Sequence, residues 1–206
     1  MRKPKILIMN YGVGNLRSVA KGLDKVGAKP IISSNVKDIL SSNAAILPGV
    51  GAFGCAMEML SKNKITIEKA VDGGTPILGI CLGMQILFKE SEESPSSKGL
   101  DIIPGKVVKL PATVKIPQMG WNTLEIKKQN PLINGVKTGE YFYFVHSYAP
   151  KFVDPSAVVA TTKYGSEFPC IVAKGNVYGT QFHPEKSGRS GLKILTNFVR
   201  IVRDVS

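Results

Sequence analysis

Gly79-Ile80-Cys81-Leu82-Gly83 sets a cysteine between an apolar run and a segment with helical periodicity. A sharp strand-to-helix turn crowds the positions two residues before and after its apex, and glycine at both relieves the clash. Such a nucleophile elbow holds the sulfur out at the carboxyl end of a sheet, where open α/β folds bind ligands. The helix N-terminus behind it favours negative charge. A cysteine nucleophile works with a histidine that takes and returns a proton. Two histidines are present, His146 and His183. His183 closes the run Val177-Tyr178-Gly179-Thr180-Gln181-Phe182 and precedes Pro184-Glu185. The proline stiffens the connection, and Glu185 is near enough to turn its carboxylate onto the imidazole and fix the tautomer. His146 lies within Tyr143-Phe144-Val145-His146-Ser147-Tyr148 with no carboxylate close in sequence, and reads as a structural group. Cys55 and Cys170 lack the elbow setting and read as inert core residues.

A carbonyl under attack needs donors for its developing negative charge. Pro48-Gly49-Val50-Gly51 follows a strand-like run and can bring backbone N–H groups to a ligand. The Leu82 N–H, directly after the nucleophile, is a second donor. Tyr11-Gly12-Val13-Gly14-Asn15 lacks the third glycine of a dinucleotide fingerprint, because Arg17 occupies that place, and there is no P-loop.

The elements that must position these groups alternate in the first half. Strands are expected over 6–9, 30–33, 44–47 and 76–80, and helices over 16–26, 53–61, 65–71 and 82–88. That alternation predicts an α/β fold with a central, mostly parallel sheet flanked by helices. Residues 90–98 are polar and serine-rich and read as a surface loop. Beyond them, strand-like runs at 106–110, 123–126, 141–148, 157–162, 170–174 and 177–182 are closely spaced, several of them pairing antiparallel. A last helix buries Leu192, Leu195, Phe198, Val199 and Val202. No repeat or linker interrupts residues 1–206, which read as one domain.

The net charge is +12, from 27 Lys and Arg against 15 Asp and Glu. The basic residues are dispersed, with no dense run and no interleaved aromatics. This predicts a solvated basic surface, or attraction to an acidic partner or anionic metabolite, rather than a nucleic-acid binder. No apolar run reaches the roughly 18 residues of a membrane span, and the N-terminus lacks a secretory pattern, so a cytoplasmic protein is expected. Three cysteines without framework spacing argue against a disulfide scaffold, and two histidines argue against a zinc site.

Gly79-Ile80-Cys81-Leu82-Gly83-Met84-Gln85 together with His183-Pro184-Glu185 resembles the triad-type class I glutamine amidotransferases. Further stretches are similar, within that family, to the glutaminase subunits of imidazole glycerol phosphate synthases. These are 10–18, 47–53, Met119-Gly120-Trp121-Asn122, 143–148 and 181–187, so that the likeness spans most of the chain. The resemblance implies Cys81 as nucleophile, His183 as general base and acid, and Glu185 as its orienter. It implies a glutamine substrate held by Gln85 and by backbone around Gly51, Ser147 and Tyr148. It implies no metal or organic cofactor, and a (β/α)₈-barrel synthase subunit that receives the ammonia. Asn15, Trp121 and Asn122 would belong to the docking face. Gln118 stands where the family usually has histidine. The nearest alternative is a glutaminase of the same class serving anthranilate, aminodeoxychorismate, purine or carbamoyl phosphate synthesis.

Overall fold

The computed structural model describes residues 3–12, 15–49 and 51–205. Its strands are β1 (Lys5–Met9), β2 (Lys29–Ser33), β3 (Ala44–Leu47), β4 (Ile77–Ile80), β5 (Glu90–Ser91), β6 (Lys106–Lys109), β7 (Gln118–Thr123), β8 (Glu125–Ile126), β9 (Tyr141–His146), β10 (Tyr148–Lys151), β11 (Val158–Tyr164), β12 (Ser166–Lys174) and β13 (Val177–Thr180). The α-helices are α1 (Leu16–Lys25), α2 (Phe53–Leu60), α3 (Lys64–Asp72), α4 (Leu82–Gln85) and α5 (Gly188–Asp204). The main sheet runs β2-β1-β3-β4-β13-β12-β11-β8. Its first five strands are parallel, and β12, β11 and β8 continue antiparallel. The expected α/β architecture is therefore present, with its antiparallel strands in the second half.

Both faces of the parallel part are covered, and β1 shows why its run is continuously apolar. Ile6 and Ile8 pack with Val19 and Leu23 of α1 and with Leu195 and Phe198 of α5. Leu7 and Met9 point the other way, onto Phe53 and Met57 of α2 and Ile67 of α3. A strand buried on two faces has no polar side to show. Among the described residues no helix is long and apolar enough to cross a membrane.

Three expectations need correction. The helix after Cys81 ends at Gln85 rather than Phe88. The carbonyls of Ile86, Leu87 and Phe88 accept instead from the N–H groups of Leu100, Ile102 and Asp101, so a returning loop takes the place of the next helical turn. Residues 90–98 are not wholly a surface loop, because Glu90–Ser91 pairs with β6 and Ser91 is buried. Cys55 is exposed rather than in the core, because α2 turns Phe53, Ala56, Met57 and Leu60 inward and leaves Cys55 outside.

Candidate active site

Cys81 is at φ 54°, ψ −108°, directly after β4 and before α4. A non-glycine residue at positive φ is strained, and the surroundings must hold it there. They do so by close packing that only glycine allows. A Cβ on Gly83 would lie 1.7 Å from the Leu47 carbonyl oxygen, and one on Gly79 would lie 2.3 Å from the Gly83 oxygen. On Gly49 it would lie 2.5 Å from the Leu82 Cβ. The end of β3, the turn after it and the elbow are thus in direct backbone contact.

β13 lies beside β4 in parallel, with Thr180 opposite Ile80, and Cys81 N–H donates to the Thr180 carbonyl at 2.7 Å. His183 follows three residues after the strand ends. Its N–H donates to the Tyr143 carbonyl at 2.9 Å, and its own carbonyl accepts from the Ser187 hydroxyl at 2.6 Å. A tight 3-10 turn over Pro184–Lys186 brings Glu185 back, so that its Oε1 accepts from His183 Nδ1–H at 2.8 Å. Both side chains are only 2% exposed. The carboxylate fixes Nδ1 as the protonated nitrogen and leaves Nε2 as the working one. Nε2 makes no hydrogen bond in this geometry, yet it is within electrostatic reach of Cys81. Burial alone would lower the His183 pKa. The charge of Cys81, then the hydrogen bond and charge of Glu185, outweigh it and raise it to about 10. The arrangement favours the imidazolium form of His183.

The sulfur opens onto a cavity of ≈ 230 Å³. Gly51, Leu82, Gln85, Ser147 and Tyr148 line it, as do Glu93, Pro117, Val145 and His146. Among the described residues Glu93 is the one carboxylate in that lining, and its Oε2 accepts from Phe53 N–H at 2.8 Å. Gln85 Nε2 donates to the Tyr148 carbonyl at 2.9 Å and to Gln181 Oε1 at 3.1 Å. Gly49 packs behind the cavity wall against Leu82. Val50, the expected oxyanion donor, lies outside the described residues, as do Val13 and Gly14 of the turn after β1. The Tyr11 phenol is buried without a partner, and burial and then the charge of Cys81 push its pKa upward.

His146 is more than a satisfied strand residue. Its Nδ1–H donates to the Tyr148 carbonyl at 2.8 Å, while Nε2 is buried and unpartnered on the cavity wall. Burial lowers its pKa to about 4, with a smaller lowering from His183 and an opposing backbone bond to Tyr148. The ring is therefore neutral at pH 7. Gln118 faces it across the β7–β9 ladder, itself buried with Oε1 unpartnered. Two polar residues at the site escaped the sequence reading, Glu93 in the cavity lining and Gln181 beside the sulfur. Glu93 sits in a stretch whose composition signals only solvent. Gln181 is adjacent to the recognised His183 run, but only the β4–β13 register shows that it meets the sulfur.

The expected docking residues are spread over the surface. The Asn15 side chain accepts from Ser18 N–H and caps α1. Trp121 is 55% exposed and stacks edge-on against Tyr143 at 6.0 Å. Asn122 donates to the Lys163 carbonyl at 3.0 Å, which ties β7 to β11. On the outward side of the β7–β9 ladder, Met119 and Tyr141 are also exposed.

The sequence profile of the family described as Glutamine amidotransferase class-I matches residues 7–202. The chain is 52% identical over 195 residues to imidazole glycerol phosphate synthase subunit HisH of Methanocaldococcus jannaschii, covering 95% of this chain and 98% of that one. Against the subunit of the same name from Methanosarcina mazei it is 51% identical, covering 96% and 98%. The structure of PurLQS from Thermotoga maritima superposes with a TM-score of 0.75 at 23% identity, covering 96% of this chain and 98% of that one, a likeness of fold. With an elbow cysteine, a histidine–glutamate pair and this fold around them, the chain belongs to the class I glutamine amidotransferase family.

Proposed function

We propose that this chain is the glutamine-hydrolysing subunit of an imidazole glycerol phosphate synthase, and that it passes ammonia to a (β/α)₈-barrel partner as a heterodimer. The observation that carries the chemistry is the strained Cys81 elbow beside the buried His183–Glu185 pair, opening on a cavity of amino-acid size. The choice of pathway is supported by relatives of that name at about half identity over nearly the whole length. In this reading residues 1–206 act as one glutaminase domain in the cytoplasm, where free thiols persist.

The Cys81 thiolate attacks the side-chain amide carbon of glutamine. The oxyanion so formed takes hydrogen bonds from the N–H groups of Leu82 and Val50. His183 gives its Nε2 proton to the departing nitrogen, so ammonia leaves and a γ-glutamyl thioester remains. His183, now neutral, takes a proton from water as the water adds to the thioester. The C–S bond then breaks, releasing glutamate and the thiolate. Gln85 has committed Nε2 to the protein, which leaves Oε1 for the substrate. Backbone at Gly51, Ser147 and Tyr148 borders the amino-acid end, and Glu93 offers a counter-charge to the α-ammonium group. The exposed Met119, Trp121 and Tyr141 form an apolar face suited to a partner, and in this proposal Asn15 and Asn122 also take part in docking.

The test is Cys81→Ala in the assembled pair. Glutamine-dependent product formation should fall at least about 10³-fold, while synthesis from added ammonia stays within about two-fold, because ring closure belongs to the partner. An equal loss with both nitrogen sources, in an intact complex, would overturn the division of labour.

A further inference from the structure

The register that sets Thr180 opposite Ile80 puts the next two residues, Gln181 and Cys81, side by side at the carboxyl end of the sheet. Gln181 is fully buried, and its Nε2 lies 3.5 Å from the Cys81 sulfur. Which end of the amide faces the sulfur follows from its neighbours. The Tyr148 carbonyl can only accept, so the Gln85 atom 2.9 Å from it is the nitrogen. That same nitrogen lies 3.1 Å from the other end of the Gln181 amide, which must then be oxygen. Flipping Gln181 would set two N–H groups against each other and turn an oxygen lone pair onto the sulfur.

The geometry points to Gln181 as a hydrogen-bond donor that stabilises the Cys81 sulfur as its thiolate, held in one orientation by Gln85 and the Tyr148 carbonyl. An N–H donor gains strength when its acceptor carries charge. The opposing group is the Val145 carbonyl, 3.7 Å from the sulfur, which accepts from the thiol and repels the anion. Gln181 sits with His183 on the thiolate side of that balance. It transfers no proton. It acts in both halves of the reaction, since the thiolate is the attacking group in the first and the leaving group when the thioester C–S bond breaks in the second. The inference rests on Cys81 being the nucleophile.

The experiment is alkylation of the full chain by iodoacetamide at about pH 6 and about pH 9. It uses a Cys55→Ser background, because Cys55 is exposed whereas Cys170 is buried. Gln181→Met removes the donor and keeps the side-chain length. The ratio of the rate at the lower pH to that at the higher should fall at least about tenfold, because the thiolate fraction is lost at the lower pH first. Gln85→Met, which leaves Gln181 in place but unclamped, should lower the ratio by a smaller factor. An unchanged ratio in folded Gln181→Met protein overturns the inference. Should that variant fail to fold, the side-chain amide resonance of Gln181 in ¹⁵N-labelled protein decides. It should move as Cys81 loses its proton and stay still in Cys81→Ala, whereas indifference to Cys81 in the unmutated chain overturns the proposal. Failure of the nucleophile assignment reads differently, as glutamine turnover that survives Cys81→Ala.

Discussion

At His183, burial and two neighbouring anions pull in opposite directions, and the anions win. That ordering ranks the substitutions. His183→Asn removes the group proposed to carry the proton in both half-reactions, so glutamine turnover in the assembled pair should fall nearly as far as in Cys81→Ala. Glu185→Gln keeps the imidazole and loses one of its two stabilising charges, so its loss should be smaller by about tenfold or more. Steady-state kinetics of the two variants checks the ranking, and a reversed order would move the base elsewhere. His146 has the opposite balance. Its folded pKa of about 4 lies below the ordinary 6.5. As pH falls from about 6.5 to 4, the unfolded chain binds a proton that the folded chain refuses, so stability drops across that window. The contribution is at most about 3 kcal/mol. His146→Gln should flatten the acid-side fall in Tm between pH 7 and about pH 4.5, and an unaltered slope would show that other groups cause it. Cys81, His183 and Glu185 were legible in the sequence because each announces itself within a few residues. Gln181 and Glu93 were not, because their roles come from strand register and from a loop crossing over α2.

The elbow is made by contacts between backbones, and this sets apart glycines that look alike in sequence. A methyl group on Gly83 would meet the Leu47 carbonyl at 1.7 Å, whereas one on Gly74, at φ +81°, would meet nothing within 4 Å. Gly74→Ala should therefore cost only the left-handed backbone penalty, about 1 kcal/mol. Gly83→Ala should cost more than about 3 kcal/mol, since β3 and α4 must separate. Denaturant midpoints of the two variants measure the difference, and similar values would mean that the elbow yields. The alternating elements of the first half were readable because strands buried on both faces are short and wholly apolar. The ladder of β7 with β9 was harder to read. Gln118–Thr123 carries a glycine, two amides and an exposed tryptophan, and its pairing with Tyr141–His146 depends on a partner some twenty residues away. The helix after Cys81 was drawn too long because Ile86, Leu87 and Phe88 are buried whichever structure they adopt.

For the whole molecule, a glutaminase that ran without an acceptor would waste glutamine. If the turn at Pro48-Gly49-Val50-Gly51 must reorient before Val50 N–H meets the oxyanion, the isolated chain lacks one donor, a loss of about 10²- to 10³-fold in turnover. Adding the barrel partner with its ligand should restore at least about 10²-fold, mostly in kcat. Glutaminase kinetics of the chain alone, with partner, and with partner plus ligand measure this, and equal kcat in all three would mean a site formed in advance. The charge of +12 is visible in the sequence, but its placement on the surface is not, because composition carries no geometry. The sheet order has a different consequence, one of timing. Cys81 lies in the turn directly after β4, whereas His183, Glu185 and Gln181 arrive with β13 and the turn after it, about a hundred residues later. A chain still being synthesised carries the nucleophile long before its proton carrier, and β4 waits as the open apolar edge of a four-stranded half-sheet. Closing that edge is the same event that completes the triad. An unfinished chain is therefore both sticky and harmless to glutamine until β13 and the turn after it have been added.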